Sequence, residues 1–538
     1  MQTVNKSSIT PVGVSYSSLK RMIVSGIAGL CAGLVASLTA VLLMAVLRLL
    51  AGIPSPVELF GDRVLKLLQA GPFVDFLIRF GSHAKTAPLG LAILGMVGLG
   101  TVLGLLFAII VRIPLPANGY RAARREWVTA GVFALAMTLG ATLLFWTETA
   151  QNFLGLPYNW ARFVTIVSLL VEFGLYAAVL CFVYRGILPK QHAAGTSQAA
   201  QNRRQLLARA GAAVLGIGAA GGTVGVISSF LSSASTYDGM ETFPNNKGFI
   251  APITPNSEHY VVTQNVVDPT PSLDVWRLEV TGLVGNSGMY TLDELQKLPS
   301  TTRAITLECI SNGPPGHLMS TAIWQGVTVR SLLEKQGGAL PNARFVAFYS
   351  VDGYSISQPL DVVLQADSLL AYRMNGAVLP NRHGYPLRVL IPGRYGEENP
   401  KWVTRIELTD HFVGGLYADQ GWYNGPLHTI TRIDRPFGKL PFGPTIEIGG
   451  TSFAGNRGIQ RVEVSTDDGV TWHDATLQPA LSQDSWVFWT WQWTPLAPGS
   501  YTLVARSTDG TGTVQTSQNQ GTVPNAATGY HYVKVQVG

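Results

Sequence analysis

Three cysteines in 538 residues are too few for a disulfide-stapled fold. Charge is scarce as well. Asp, Glu, Lys and Arg make up 13% of the chain, hydrophobic residues 47%, and the mean hydropathy is +0.24; soluble domains usually carry ~25% charge. This composition excludes disorder and argues against a wholly soluble chain. None of the 9 histidines falls in a long apolar run, and no CxxCH stretch occurs. Neither a bis-histidine haem between the apolar segments nor a covalently attached haem is expected. Acidic residues are nearly missing from the first part. Residues 1–231 hold 6 Asp and Glu against 18 Lys and Arg, whereas residues 232–538 hold 26 against 20. The basic excess behind the net charge of +6 thus lies among apolar runs, where it sets membrane topology rather than binding nucleic acid.

Four runs, Met22–Leu50, Pro88–Val111, Val128–Trp146 and Phe163–Tyr184, approach or exceed the ~20 residues that cross a bilayer as a helix. A fifth, Leu206–Leu231, is rich in Gly and Ala. Lys20 and Arg21 precede the first; Arg112, Arg121, Arg124 and Arg125 separate the second and third; Arg185, Lys190, Arg203 and Arg204 separate the fourth and fifth. The loop between the third and fourth has only Arg162. The positive-inside bias puts the N terminus in the cytoplasm and everything after the fifth span outside. Gly52–Ala87 reads as an external amphipathic segment lying on the membrane. Asn202-Arg203-Arg204-Gln205-Leu206-Leu207 resembles a twin-arginine export signal, the alternative being two ordinary topology-setting arginines, and Ser232-Ser233-Ala234 would suit a cleavage site. Glu172 falls midway along the fourth span, where a carboxyl costs ~2–4 kcal/mol. It reads as a proton-relay or quinone-contacting group, or as a protonated carboxyl bonded to a neighbouring helix. Cys31 and Cys181 read as small hydrophobes.

Residues 232–259, rich in Ser, Asn and Pro, form a linker. From 260 to 435 the periodicity predicts strands at Trp276–Thr281, Phe345–Ser350, Leu387–Ile391 and Val403–Leu408, with helices at Leu292–Leu298 and Val329–Gln336, an α+β domain. From 436 to 538 only short strands recur: Thr445–Ile448, Ile459–Ser465, Trp486–Trp493, Tyr501–Ser507 and Tyr530–Val537. Turns at Asp468-Gly469, Pro498-Gly499 and Asp509-Gly510 punctuate them, which predicts an immunoglobulin-like β-sandwich. Trp486, Phe488, Trp489, Trp491 and Trp493 cover both faces of one strand, so one face needs a neighbour or a second subunit.

Cys309 is the one cysteine outside the apolar runs. It follows the apolar strand Ala304–Glu308 and precedes the turn Ser311–Gly316. A lone thiol there is inert in a core, a nucleophile or a soft metal ligand. Glu308-Cys309-Ile310-Ser311-Asn312, Ala322-Ile323-Trp324-Gln325-Gly326-Val327, Ala371-Tyr372-Arg373-Met374-Asn375-Gly376, His383-Gly384-Tyr385-Pro386-Leu387-Arg388, Ile391-Pro392-Gly393 and Lys401-Trp402 resemble, in order, the motifs of the sulfite oxidase family of molybdopterin enzymes. The resemblance covers about residues 250–435, with the sandwich in the place of that family's dimerisation domain. Membrane-anchored bacterial members look most similar. The resemblance implies a molybdenum–molybdopterin cofactor with Cys309 as the thiolate on the metal. It makes Tyr354, in Gly353–Ser357, the hydroxyl near the oxo group, the alternative being a packing tyrosine at a strand edge. It assigns cofactor binding to Tyr260, Cys309, Asn312, His383, Arg388, Gly393, Lys401 and Trp402: Arg388 by gripping phosphate oxygens, Lys401 as a point charge, Gly393 by letting backbone come close.

The chain also departs from the family. The stretch His259–Asn265 lacks the arginine that soluble members carry there, and Gly313–His317 lacks the one they carry soon after the cysteine. Those cations help hold an anionic substrate, so sulfite itself is in doubt; His317 and Arg394 are candidates for part of that role. Glu397 and Glu398 bring two carboxylates towards the expected cofactor. The expectation is a multi-pass plasma-membrane protein with an extracytoplasmic catalytic domain. It would transfer oxygen atoms to or from a small molecule in two-electron steps and exchange electrons with a separate cytochrome or quinone system. It would carry no haem of its own and pair as a homodimer through the sandwich. The alternatives are a molybdenum reductase of the same fold and a non-enzymatic cell-surface binding module with a degenerate cofactor domain.

Overall fold

The structure, a computed structural model, describes residues 17–72, 75, 86–191, 198–232, 251–265 and 267–538. Ser233 and Ala234 of the expected cleavage site, and most of the linker, lie outside the described residues. The first part is helical: α1 (Ser18–Ala51), α2 (Pro56–Leu67), α3 (Thr86–Val111), α4 (Arg124–Leu144), α5 (Tyr158–Ile187) and α6 (Gln198–Ser232). All but α2 are long and apolar enough to cross a membrane. α1 is the hub, packed by α3, α5 and α6. Glycines permit this. A Cβ at Gly29 would stand 2.5 Å from Gly104 O, and one at Gly33 2.7 Å from Gly100 O. Close backbone approach of this kind supplies the dispersion that holds helices together where lipid removes the hydrophobic drive. Arg185 and Glu126 form a buried ion pair at 3.2 Å, and Glu172 is buried with Oε2 unpaired.

α2 starts at a capping box made by Ser55 and Glu58. Part of its apolar side meets protein, while Phe60 and Leu67 stay exposed. Leu65, Leu68 and Ala70 pack against the core that contains Cys309, and Leu65 O accepts from Gln420 Nε2 at 2.9 Å. An amphipathic helix needs an apolar partner, and here a protein surface supplies it.

The α+β domain holds two sheets. β1 (Leu278–Gly282), β2 (Gly288–Tyr290), β5 (Phe345–Ser350), β6 (Ser355–Pro359) and β10 (Val403–Thr409) run in the order β2-β1-β10-β5-β6, with β1 and β10 parallel. β3 (Thr301–Glu308), β4 (Met319–Thr328), β7 (Leu369–Met374) and β8 (Ala377–Val378) form the second, with β9 (Arg388–Leu390) paired to β7. Thr291 and Thr328 cap the helices Leu292–Gln296 and Val329–Lys335, which close one core. Trp276, expected to open a strand, precedes β1 instead; its buried indole donates to Val403 O at 3.2 Å.

Two further sheets make the β-sandwich. One runs β11 (Ile430–Arg435), β13 (Ile446–Phe453), β17 (Val487–Trp493), β16 (Thr476–Leu477); the other runs β12 (Gly438–Leu440), β19 (His531–Val537), β18 (Gly499–Asp509), β14 (Ile459–Ser465), β15 (His473–Asp474). β11 pairs with β13, so the strand just ahead of the expected boundary at 436 joins this sheet. Trp489 and Trp493 fill its core, Trp486 and Phe488 pack against the Cys309 core, and Trp491 stacks on His473 at 4.9 Å. The second aromatic face is thus covered by this chain itself.

Candidate functional site

Cys309 sits where a ladder ends. β3 stays in register with β4 up to the pair Glu308–Met319; beyond it Cys309 N donates to Leu318 O and Asn312 N to Cys309 O, both at 2.9 Å. The chain then turns through glycines and prolines, leaving the thiol at the strand tip. It is 6% exposed, and burial first, then the Glu397 carboxyl, push it up to about 12.

Three other segments converge on it. His259 and Tyr260 arrive beside β4, where Tyr260 N donates to Ser320 Oγ at 3.2 Å. His383 ends the turn Asn381–His383, which closes on Gly384 in the left-handed region (φ 118°), and Arg388 opens β9. The His259 and His383 rings lie 5.2 Å apart, the His259 and Trp324 rings 5.6 Å apart, and the Arg388 guanidinium 5.6 Å from the Trp324 ring centre. Tyr260 feels the charges of Cys309, Arg388, Glu397 and Glu308, which ties these residues to the thiol.

Every one of these side chains is buried, and each keeps one polar atom without a partner: His259 Nε2, Tyr260 Oη, His383 Nδ1 and Arg388 Nε. Their other ends are fixed. His259 Nδ1 meets Tyr260 O at 3.2 Å, His383 Nε2 meets Asn256 O at 2.8 Å, and Arg388 Nη1 donates to His383 O at 3.3 Å. The two carbonyls hold the imidazole protons on those nitrogens, so the unpartnered nitrogens are acceptors. Burial drives His383 down to about 3, which leaves it neutral, and lowers Arg388 only to about 10, which leaves it charged. Buried polar groups in folded proteins are nearly always paired, and each left unpaired costs ~1–3 kcal/mol. Two acceptors, a hydroxyl and a cation unpaired together mark a place built for a ligand that both donates and accepts.

Carboxyls line another side. Both Glu397 oxygens lack partners. The preceding Gly396 presses close enough that a Cβ would stand 2.5 Å from the Tyr260 hydroxyl. Glu308 Oε1 accepts from Asn312 Nδ2 at 3.0 Å while Oε2 is unpaired. The Tyr354 hydroxyl donates to Glu397 O at 2.6 Å, and its ring lies 6.0 Å from Tyr417.

Several residues singled out from the sequence serve the frame. Asn312 spends its amide on the turn, accepting from Leu318 N at 2.9 Å and donating to Glu308. Gly393, at φ 86°, makes room for the Asn456 carboxamide of the sandwich, so the close approach it permits is between domains. Trp402 is buried and donates to Asn381 O at 2.8 Å, bracing the turn that carries His383. Lys401 Nζ lies 4.1 Å from the Trp402 ring centre and donates to Arg382 O at 3.3 Å. His317 neighbours Arg432, Asp434 and His531 at the seam with the sandwich. Arg394 faces Glu398. His259 and Glu308 also line the site, each next to a residue that the sequence pattern marks, Tyr260 and Cys309. Among the described residues no group of three His, Cys, Asp or Glu gathers as a metal site. A metal on Cys309 would therefore draw its other donors from a bound organic group.

A buried thiol thus lies beside unpartnered cationic and imidazole groups, an arrangement suited to an organic ligand with an anionic part. Residues 265–417 match the family described as oxidoreductase molybdopterin binding domain, and residues 437–538 the Mo-co oxidoreductase dimerisation domain. The two matched domains support a molybdopterin-dependent oxidoreductase of the sulfite oxidase and nitrate reductase type. The inducible nitrate reductase [NADH] 1 of Glycine max is 28% identical over 298 residues, 44% of this chain and 34% of that protein. The mitochondrial sulfite oxidase of Rattus norvegicus is 29% identical over 346 residues, 53% of this chain and 62% of that protein. This chain thus spans about a third of the nitrate reductases it matches and under two thirds of the sulfite oxidases. Among solved structures, the sulfane dehydrogenase SoxCD of Paracoccus pantotrophus aligns with a TM-score of 0.49 at 22% identity, covering 54% of this chain and 82% of that one. The residues present fit a molybdopterin: its ring carries donors for the two imidazole acceptors, and its phosphate is an acceptor for Arg388.

Proposed function

We propose that this chain is a membrane-anchored molybdenum–molybdopterin oxidoreductase that moves an oxygen atom to or from a small molecule in a two-electron reaction. The convergence of Cys309 with the unpartnered atoms of His259, Tyr260, His383 and Arg388 carries the reading. Cys309 would hold the metal, Arg388 and Lys401 the phosphate, and His259, Tyr260 and His383 the pterin. The bound group supplies the two-electron couple and the transferable oxygen. Burial keeps Tyr354 well above its ordinary value, so its phenol stays protonated and orients rather than abstracts. The five apolar helices would anchor the enzyme with this domain outside the cytoplasmic membrane, and Arg203 and Arg204, exposed on α6, suit export. Electrons would pass to or from a separate cytochrome or quinone system, and the sandwich would pair two copies.

The names of the relatives point to nitrate and sulfite, both anions. Burial pushes Glu308 up to about 8 and holds Glu397 well above its ordinary range, so both stay protonated and could donate to the oxygen of an uncharged sulfoxide or N-oxide, which makes the reductive direction the second reading. Elemental analysis of the purified chain tests the central claim. One molybdenum per chain is expected, lost in Cys309→Ser with the helicity and melting profile of cofactor-free protein retained. A folded wild-type chain free of molybdenum, from cells that load other molybdenum enzymes, refutes it.

A further inference from the structure

The helical bundle reaches the site from two directions. After α4, the segment 148–157 lies against the α+β domain: Asn152 N donates to Val351 O at 3.2 Å, Ser272 N donates to Leu154 O at 2.9 Å, and Gly155 fits against Trp276. Gln151, 4% exposed, sits on Gly353, which is in the left-handed region at φ 76°; a Cβ there would overlap the Gln151 carboxamide. The same carboxamide is hydrogen-bonded to Asp62 on α2. Gly353 lies between Asp352 and Tyr354, and Asp352 holds the loop by accepting from Tyr354 N at 3.2 Å and from Asn265 Nδ2 at 2.7 Å. The second contact starts at Leu65 O on α2, which accepts from Gln420 Nε2 at 2.9 Å. Gln420 Oε1 accepts from Trp422 Nε1 at 3.0 Å, and the Trp422 ring packs 4.7 Å from Tyr417, the neighbour of the Tyr354 ring. Both routes end at one phenol, whose hydroxyl is already fixed on Glu397 O.

We propose that the bundle is a working part of the site rather than a tether: Gln151, braced by Asp62, seats the loop Val351–Tyr354 and thereby sets the position of the Tyr354 hydroxyl. Gln151 is a positioning residue. It touches neither cofactor nor substrate and acts through a glycine that accepts no side chain. The inference rests on the role proposed above for Tyr354, and its test has an arm independent of turnover.

In the full-length chain in detergent, Gln151→Ala removes the seat, Asp62→Asn weakens its brace without removing volume, and Gln151→Asn is the conservative control. Amide hydrogen exchange over 350–356 is read on cofactor-free protein. Turnover is read with two probe pairs, sulfite with ferricyanide and dimethyl sulfoxide with reduced benzyl viologen. Gln151→Ala should speed exchange at Tyr354 at least tenfold and lower kcat about tenfold, with KM, molybdenum content and melting temperature held. Asp62→Asn should fall between, and Gln151→Asn should recover part of the loss. Wild-type exchange and wild-type kcat in Gln151→Ala overturn the inference, as does a loss of activity that only tracks a loss of molybdenum. A molybdenum-loaded wild type inert with both pairs counts against the proposed activity, while the exchange arm still decides whether Gln151 seats the loop.

Discussion

Removing a buried cation should change sign with the cofactor. Arg388 is 6% exposed, its Nε has no partner, and its one hydrogen bond, to His383 O, is long at 3.3 Å. Burial lowers it from an ordinary 12.5 to about 10, which at 1.36 kcal/mol per pH unit is ~3 kcal/mol against the charged form. Arg388→Met keeps most of the side-chain volume against Trp324 and removes that penalty, at the loss of one hydrogen bond of ~1 kcal/mol. The cofactor-free variant should therefore be more stable than cofactor-free wild type by ~1–2 kcal/mol, a rise of a few degrees in Tm. In the loaded protein the same change deletes a charge-assisted contact worth ~2–5 kcal/mol, so the variant should retain pterin and molybdenum poorly. Thermal melts of protein made with and without pterin synthesis in the host, beside pterin and metal assays, read both signs. A cofactor-free variant that melts below wild type by ~1 kcal/mol or more would refute the reasoning, because the guanidinium would then be a structural group and not one awaiting a ligand.

Two further outcomes follow from the same geometry. Asp62 is pushed up from 3.8 to about 7, chiefly by burial, with Glu58 adding to it and the Gln151 hydrogen bond opposing it. The native state then keeps a proton that the unfolded chain releases, so this contribution is intact below about 3.8 and is lost as pH rises towards about 7. Asp62→Asn should accordingly gain in Tm relative to wild type between pH 4 and pH 7, as read by melts in one detergent. At the α1–α3 contact, Gly33→Leu would force a side chain onto Gly100 O and should cost ~1–3 kcal/mol by overpacking, seen as earlier loss of helicity on heating.

Much of this was legible because it depends on local pattern. Apolar length gave the five long helices, and alternation gave the strands to within two or three residues at most ends. The lone cysteine at a strand tip was visible for the same reason. What the sequence hid depends on distance across the fold. Gly393 looks like a glycine beside a ligand, yet its neighbour is Asn456, 63 positions away. His317 follows the cysteine turn closely, but β11 lies against that turn and its Arg432 and Asp434 engage the imidazole. β11 lies between the turn Asn424-Gly425-Pro426 and Pro436, and its pairing with β13 is what joins it to the sandwich. α2 is amphipathic, as its pattern suggests, but its contact with the Cys309 core is not visible in the sequence, since a period of 3.6 records that a face must be covered and not by what.

The arrangement of charge around Cys309 bears most directly on what the site is for. Arg388, His383 and His259 come from β9, a short turn and the segment before Tyr260, and their unpartnered atoms call for a ligand of mixed polarity with an anionic part. Glu397 comes from the loop that follows Gly393, and Glu308 from the end of β3. The charges that act on the thiol are those of Glu397 and Glu308, both of which raise it. If the cations are committed to the pterin and its phosphate, none is left over from this set for a substrate anion. Burial holds Glu397 well above its ordinary range and pushes Glu308 up to about 8, so at neutral pH both are protonated O–H donors rather than charges. On the proposed reading, selectivity therefore follows from the division of labour: the positive groups hold the cofactor, and the protonated carboxyls offer O–H donors to the oxygen of a neutral oxo compound.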